Sequence, residues 1–200
     1  MKFNIKGTEV YISFTFFIAF TVVLLNGNLK LYFVVLAFSL LHEFVHIVFL
    51  LIYGFAIRRV TLSIFGGNIS RDNNSDEYIK EAIINLSAPI VNIMVGVVLL
   101  CSDNYKEWGN INLFIGAFNI CPFYNFDGGR GLHNILTKVL DRASADKAIY
   151  VSSVLVLLGF TFANIAVIAM KKPNVIFVAI NIYLISCFAV NLFKKDTLKA

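Results

Sequence analysis

Long apolar runs separated by short polar stretches dominate this chain of 200 residues. Six apolar segments run approximately over residues 10–25, 31–53, 82–101, 111–126, 150–170 and 175–193. Most are close to the roughly 20 residues that an α-helix needs to cross a bilayer. The pattern therefore predicts an all-α polytopic membrane protein of about six transmembrane helices, organised as a single domain over residues 1–200.

Composition supports a protein embedded in the lipid bilayer. Hydrophobic residues make up 58% of the chain and charged residues only 14%, against roughly 25% charged in an average soluble domain. The net charge of +5 does not indicate nucleic-acid binding, because the basic residues are scattered at loop ends rather than clustered. No small-residue cleavage site follows the first apolar segment, so we expect a retained helix rather than a signal peptide.

The distribution of basic residues predicts the orientation in the membrane. With six spans both termini lie on one side, and that side carries thirteen of the 17 Lys and Arg residues. The opposite side carries only Lys30, Lys106, Lys171 and Lys172. Because cytoplasmic loops are enriched in Lys and Arg, the pattern places the termini and the 54–80 and 127–149 segments in the cytoplasm.

Two segments depart from the pattern of simple membrane helices. "IRRVTLSIFGGNIS", residues 57–70, alternates apolar and polar positions, which predicts a strand-like segment with a turn at Gly66 and Gly67. We see no certain partner strand for it elsewhere in the chain. Pro122 and the glycine pair at 128–129 predict a break in the fourth span, which hydrocarbon tolerates only where protein or a wet cavity surrounds it.

The most informative stretch is "SLLHEFVHIVFLL", residues 39–51, where His42, Glu43 and His46 lie in an apolar run. Histidines four residues apart lie on one face of a helix and can bind one metal ion. H-E-x-x-H is typical of zinc hydrolases, in which the two imidazoles are ligands and the carboxylate is the general base. Buried ionisable groups are costly in a membrane, which makes a chance match a weak explanation.

A zinc site needs a third protein ligand, and elimination favours Asp127. Among the twelve acidic residues, only Glu43 and Asp127 fall in apolar or broken-span sequence. The remaining histidine, His133, lies among polar residues, and we interpret it as a cytoplasmic or interfacial side chain. The alternative for Asp127 is an N-cap of a helix beginning near Arg130.

Two iron sites are weaker alternatives. A di-iron carboxylate site would need a second Glu-x-x-His and two more glutamates, which the apolar segments do not contain. Mononuclear iron bound by two His and one carboxylate has the right ligand count but leaves Glu43 without a role.

These residues resemble the site-2 proteases, a family of intramembrane zinc metalloproteases. The family combines H-E-x-x-H with a later N-x-x-P-x-x-x-L-D-G or a close spacing variant, which Asn119, Pro122 and Asp127 match. "IFGG", residues 64–67, and "SAPIVN", residues 87–92, resemble motifs of the branch typified by stage IV sporulation protein FB. That branch carries a C-terminal cytoplasmic regulatory domain, which we expect this chain to lack.

The resemblance implies regulated intramembrane proteolysis with one Zn²⁺ per chain, in a bacterial cell membrane. The substrate would be a membrane-bound or membrane-associated protein, with sporulation-related pro-protein processing as one such role, and membrane regulatory partners as further partners. Asn119 resembles the substrate-contacting Asn of the family, with interhelical hydrogen bonding as its alternative. Leu62, Ile64, Gly66 and Gly67 are predicted to contact an extended substrate by strand addition.

Two other functions fit the sequence less well than intramembrane proteolysis. A membrane metalloprotease for soluble or lipidated peptides would usually take a Glu as third ligand, and Glu43 is the one Glu in the apolar segments. A zinc transporter or zinc-binding scaffold would favour a longer series of intramembrane polar groups than the four found here.

Overall fold

The computed structural model describes residues 2–5, 8–12, 29–55, 57–63, 66–71, 77–170 and 175–197. The chain divides into two compact units, Met1–Phe118 and Asn119–Ala200. In the first unit the strands are β1 (Lys2–Ile5), β2 (Thr8–Ile12), β3 (Ile57–Ser63) and β4 (Gly66–Arg71), and the helices are α1 (Leu29–Ile52) and α2 (Tyr78–Leu100). A 3-10 turn at Asp103–Tyr105 leads into α3 (Lys106–Ile120), which ends at the start of the second unit. The helices α4 (Asp127–Val139), α5 (Arg142–Ala169) and α6 (Val175–Thr197) complete that unit.

Three helices in the described part of the chain are long and apolar enough to cross a membrane, over Phe33–Ile52, Tyr78–Leu100 and Arg142–Ala169. A shorter apolar stretch covers Phe177–Asn191. The 15 residues of α3 extend only about 22 Å, less than the roughly 30 Å of a bilayer core. The first predicted span is wrong at its start, because residues 10–12 belong to β2, and residues 13–28 lie outside the described part of the chain.

A four-stranded sheet with the order β1-β2-β3-β4 accompanies the helices. β1 and β2 pair antiparallel, β2 and β3 pair parallel, and β3 and β4 pair antiparallel. The expectation that residues 57–70 lack a partner strand is therefore wrong, since β3 is bonded on both sides. The prediction of an all-α protein with one strand-like segment is therefore incomplete, since four strands are present. The sheet was not predicted because β3 pairs with β2, a five-residue strand near the N-terminus whose sequence does not indicate this distant partner.

The prediction of a turn at Gly66 and Gly67 is wrong. Both glycines belong to β4, and the register pairs Ser63 with Gly66 and Leu62 with Gly67. The connection between β3 and β4 is thus residues 64–65, which lie outside the described residues.

Helix α1 ends in a compact turn that packs against α2. Gly54 has a φ of +74°, and the amide of Phe55 donates to the carbonyl of Leu50 at 3.0 Å. This left-handed glycine closes the helix as a C-terminal cap. Leu50, Phe55 and Ile84 then form a buried apolar cluster that fixes the end of α1 beside the first turns of α2.

Close backbone approach characterises the contact between α2 and α3. A Cβ atom built at Gly96 would lie 2.9 Å from the backbone nitrogen of Leu113, and one at Gly116 would lie 2.7 Å from the carbonyl oxygen of Pro89. Since a side chain at either position would collide with backbone, the two glycines let these helices pack at short range.

The predicted break in the fourth apolar segment separates α3 from α4. Helix α3 ends at Ile120 and α4 begins at Asp127. The Oγ atom of Ser152 donates to the carbonyl of Pro122 at 2.9 Å, and the amide of Tyr124 donates to Oγ of Ser153 at 3.1 Å. Helix α5 thus satisfies backbone groups that the break removes from helical hydrogen bonding, as a non-helical segment at membrane depth requires.

Candidate metal centre

Helix α1 brings His42 and His46 together on one face. Their ring centroids lie 4.9 Å apart with an interplanar angle of 87°, and only 5% and 8% of the two residues is exposed. The four-residue spacing causes this proximity because one helical turn takes 3.6 residues. The intervening Glu43 is half-buried on the same helix. The predicted pair of imidazoles is therefore present as a preformed, buried unit.

Helix α2 supplies a hydrogen-bond acceptor to Nδ1 of each imidazole. Nδ1 of His46 lies 2.9 Å from the carbonyl oxygen of Ile84, and Nδ1 of His42 lies 3.2 Å from Oδ1 of Asn92. A carbonyl oxygen can only accept, so Nδ1 of His46 carries the proton. Nε2 of His46, which is fully buried, then presents its lone pair. Such Nδ1 hydrogen bonds are the usual outer-shell arrangement around metal-binding histidines.

The donor chemistry fits zinc. Neutral imidazole nitrogens are common zinc ligands, and a metal needs them deprotonated at the ligating atom. The Nδ1 hydrogen bonds favour this tautomer before any metal binds. Glu43 adds a carboxylate one residue after His42, as the zinc-hydrolase pattern requires.

Asp127 occupies the first position of α4. The N-cap of this helix is Phe126, so the alternative that Asp127 caps a helix beginning near Arg130 is wrong. The amide of Arg130 already donates to the carbonyl of Phe126 at 3.0 Å, which shows that the helix begins earlier than the sequence indicated. Asp127 is half-buried.

The two glycines after Asp127 allow the backbone at the start of α4 to pack against the preceding segment. A Cβ atom at Gly128 would lie 1.9 Å from the carbonyl oxygen of Ile120, and one at Gly129 would lie 2.0 Å from that of Phe123. No side chain fits at these distances. The glycine pair therefore determines where the backbone at Asp127 lies within the second unit.

Sequence comparison relates the chain to a zinc metalloprotease of Methanocaldococcus jannaschii, with 30% identity over 154 residues, which are 68% of this chain and 45% of the relative. Stage IV sporulation protein FB of Bacillus subtilis strain 168 is 25% identical over 126 residues, covering 58% of this chain and 44% of that protein. The chain also shares the fold of the solved site-2 protease from M. jannaschii, with a TM-score of 0.65 and 24% identity over 92% of this chain and 91% of that one. The chain is a homologue of the site-2 proteases. No family model matches it.

This site-2 protease homologue spans less than half the length of either curated relative that it matches. The fold shared with the solved site-2 protease extends over most of both chains. The two relatives whose names state an activity are both proteases.

The remaining sequence-predicted residues of the site-2 protease homologue lie on several elements. Asn119 is the penultimate residue of α3 and is half-buried, Leu62 belongs to β3, and Gly66 and Gly67 begin β4. Ile64 lies outside the described residues. The roles assigned to Asn119, Ile64, Gly66 and Gly67 stay predictions, whereas at Leu62 β3 is already paired on both sides, with β2 and with β4.

His133 has a local partner in the second unit. Its Nε2 atom lies 2.8 Å from Oδ1 of Asp146, which connects α4 to α5. This contact gives the third histidine of the chain a structural explanation that needs no metal ion.

The sequence did not reveal which two groups accept hydrogen bonds from the imidazoles of His42 and His46. Asn92 and the carbonyl of Ile84 lie 50 and 38 residues from the imidazoles they contact. The available signal was the polar motif "SAPIVN" inside an otherwise apolar helix, in which Ser87, Pro89 and Asn92 are all buried.

Proposed function

We propose that this chain is an intramembrane zinc endopeptidase that hydrolyses a peptide bond in a membrane-bound or membrane-associated protein. The observation that carries the proposal is the pair His42 and His46, buried on one helix face with Nδ1 of each held by an acceptor on α2. Polar groups arranged in this way inside apolar helices are characteristic of a functional site. The named proteases among its relatives support the same activity.

The proposed ligand set is His42, His46 and Asp127, with one position left open. Catalytic zinc typically takes three protein ligands, and an aspartate oxygen suits the ion as the third. Two observations support Asp127: elimination among the acidic residues leaves it as the candidate beside Glu43, and it does not serve as the N-cap of α4. The half-buried carboxylate would also offset the charge of the ion.

Glu43 is the proposed general base. When bound, zinc would acidify water and polarise the scissile carbonyl. The Glu43 carboxylate would accept the proton of the attacking water and hold it. As the C–N bond breaks, it would give that proton to the departing amine nitrogen, so that the hydroxyl of the water ends on the new carboxyl group and its proton on the new amine. The apolar environment of α1 strengthens each of these electrostatic interactions.

Substrate entry requires local unwinding, because a helical backbone engages its carbonyls in internal hydrogen bonds. The sheet of the first unit offers a surface for an extended segment. Both neighbours of β3 are present, so pairing at Leu62 is not available, and we assign strand addition to the outer edge of β4, which begins at Gly66 and Gly67. Asn119 is proposed to contact the substrate backbone near the break.

The proposed orientation places both termini and the sheet on the cytoplasmic side of a bacterial cell membrane, on the basis of the thirteen-to-four distribution of basic residues. Strand pairing supports this, because β2 and β3 are hydrogen-bonded and must lie on the same side of a bilayer. Further membrane proteins that regulate the reaction would be partners of this face.

The test is cleavage in liposomes that contain the purified chain and a single-span substrate. Removal of zinc by a chelator should abolish cleavage, and zinc at stoichiometric concentration should restore it while magnesium should not. Zinc flux across the same liposomes should stay at the level of protein-free vesicles. Zinc flux without cleavage of the substrate would contradict the protease function and support a zinc transporter.

A further inference from the structure

Behind the two imidazoles, a chain of buried amide groups connects α1, α2 and α3. Oδ1 of Asn92 contacts Nδ1 of His42 at 3.2 Å, and Nδ2 of Asn92 donates to Oδ1 of Asn112 at 3.2 Å. Nδ2 of Asn112 in turn donates to the carbonyl of Trp108 at 3.2 Å. Both asparagines have no exposed surface. Burying two amides among apolar helices is unfavourable unless each is hydrogen-bonded, as these are.

The direction of every bond in this chain follows from its last member. The carbonyl of Trp108 can only accept, so the amide nitrogen of Asn112 must face it. Oδ1 of Asn112 then faces Asn92 and can only accept, which directs the amide nitrogen of Asn92 toward Asn112. Oδ1 of Asn92 is left facing His42, and this oxygen requires a proton on Nδ1. The backbone of α3 thus specifies the tautomer of an imidazole on α1.

Packing of the helices makes this connection possible. Asn92 and Gly96 lie one turn apart on α2, and Asn112 lies between Gly109 and Gly116 on α3. A Cβ atom at Gly109 would lie 2.9 Å from the carbonyl oxygen of Gly96. The glycines therefore allow the short approach across which two asparagine side chains can bond directly.

We propose that Asn92 and Asn112 are positioning residues for His42: they hold it as the Nδ1-protonated tautomer, with Nε2 directed to the metal. This inference rests on the proposed zinc site and adds the device that prepares it. His46 differs, because its acceptor is a backbone carbonyl. Outer-shell partners of this kind typically contribute 10- to 100-fold to metal affinity.

The experiment uses the full chain in detergent micelles and measures zinc affinity by competition with a chelating dye. Asn92→Leu removes the acceptor and should weaken zinc binding roughly 10- to 100-fold. Asn92→Asp keeps an acceptor for His42 and should stay within a few-fold of the wild type. Asn112→Leu, which only frees the Asn92 amide to rotate, should give a smaller loss than Asn92→Leu. The matched control is Asn181→Leu, which removes another buried asparagine, bonded to Thr161 at 3.3 Å.

A second measurement reports the tautomer without metal. The chain has three histidines, so ¹⁵N spectra of histidine-labelled, zinc-free protein are simple to assign with single His variants. His42 should carry its proton on Nδ1 in the wild type and in Asn92→Asp, and should become a mixture of tautomers in Asn92→Leu. If Asn92→Leu does not fold, Asn112→Leu and Asn92→Asp still provide the comparison.

Equal zinc affinity in Asn92→Leu and Asn181→Leu would overturn the positioning role, and so would an equal loss in Asn92→Leu and Asn92→Asp. Both results would leave the proposed protease intact if His46→Ala still abolished zinc binding. A wild-type chain that binds no zinc would instead overturn the proposed function and, with it, this inference.

Discussion

Nδ1 of His46 lies 2.9 Å from the carbonyl oxygen of Ile84, an atom that no side-chain substitution can remove. The Oγ atom of Ser87 donates to the same oxygen at 2.8 Å. One imidazole of the pair is thus held by backbone and the other by the side chain of Asn92. This asymmetry means that mutations in α2 should affect His42 far more than His46.

If Asp127 is the third ligand as proposed, Asp127→Asn should lower zinc affinity by more than the roughly 10–100-fold typical of residues that only orient a ligand, because it replaces a carboxylate by a neutral amide. His133→Ala should leave zinc affinity unchanged, since His133 contacts Asp146 instead. Metal content and affinity of the two purified variants check the prediction. Equal values in both would show that Asp127 is not the third ligand.

Substitution of Gly128, the glycine next to Asp127, should affect zinc binding as much as substitution of Asp127 itself. Gly128→Ala would place a methyl group 1.9 Å from the carbonyl oxygen of Ile120, and overpacking of this kind costs about 1–3 kcal/mol. The shift of the α4 terminus should also reduce zinc affinity. The matched control is Gly159→Ala on α5, where nothing lies within 4 Å of the added carbon. It should stabilise its helix by about 0.5–1 kcal/mol, as thermal unfolding in micelles can measure.

The membrane orientation can be tested by cysteine labelling. In a variant with Cys101, Cys121 and Cys187 replaced by serine, single cysteines at Thr8 and Thr61 should resist an impermeant reagent added outside cells. A cysteine at Asp103 should react, because it lies on the side with few basic residues. Reaction at Thr8 but not at Thr61 would contradict the pairing of β2 with β3.

Cleavage should depend on how easily the substrate helix unwinds. Glycine costs a helix about 1 kcal/mol relative to alanine and asparagine somewhat less, so a Gly-Asn pair at the cut site should speed cleavage up to roughly tenfold over poly-Leu. A substrate series that differs only at these two positions measures the effect. Equal cleavage rates across the series would contradict strand addition at β4. They would not contradict the proposed metal site.

Several features of the fold follow from local sequence and were predictable. The four-residue spacing of His42 and His46 determines that they share a helix face, and Pro122 with Gly128 marks the break between α3 and α4. The features that were missed depend on contacts between distant residues. Pairing of residue Val10 with Val60 joins short strands 50 positions apart, and Asn92 meets His42 at the same separation. Neither contact has a periodic signal, because each arises only when separate elements pack.

In the candidate metal centre, too, some features follow from local sequence and others depend on contacts between distant residues. The residue types that carry the chemistry were recognisable because His and Glu are rare in apolar sequence. The tautomer of His42 was not, because it depends on a backbone carbonyl of α3 that acts through two intervening side chains.

The most direct test of the central claim is Glu43→Gln, with zinc content and cleavage measured on one purified sample. Glutamine keeps the size of the side chain and cannot take a proton from water, and general-base catalysis contributes about 10²- to 10⁴-fold. We predict one zinc per chain, as in the wild type, and loss of cleavage by at least about 100-fold. Retained cleavage, or loss of zinc together with activity, would contradict the assignment of Glu43 as the base of an intramembrane zinc protease.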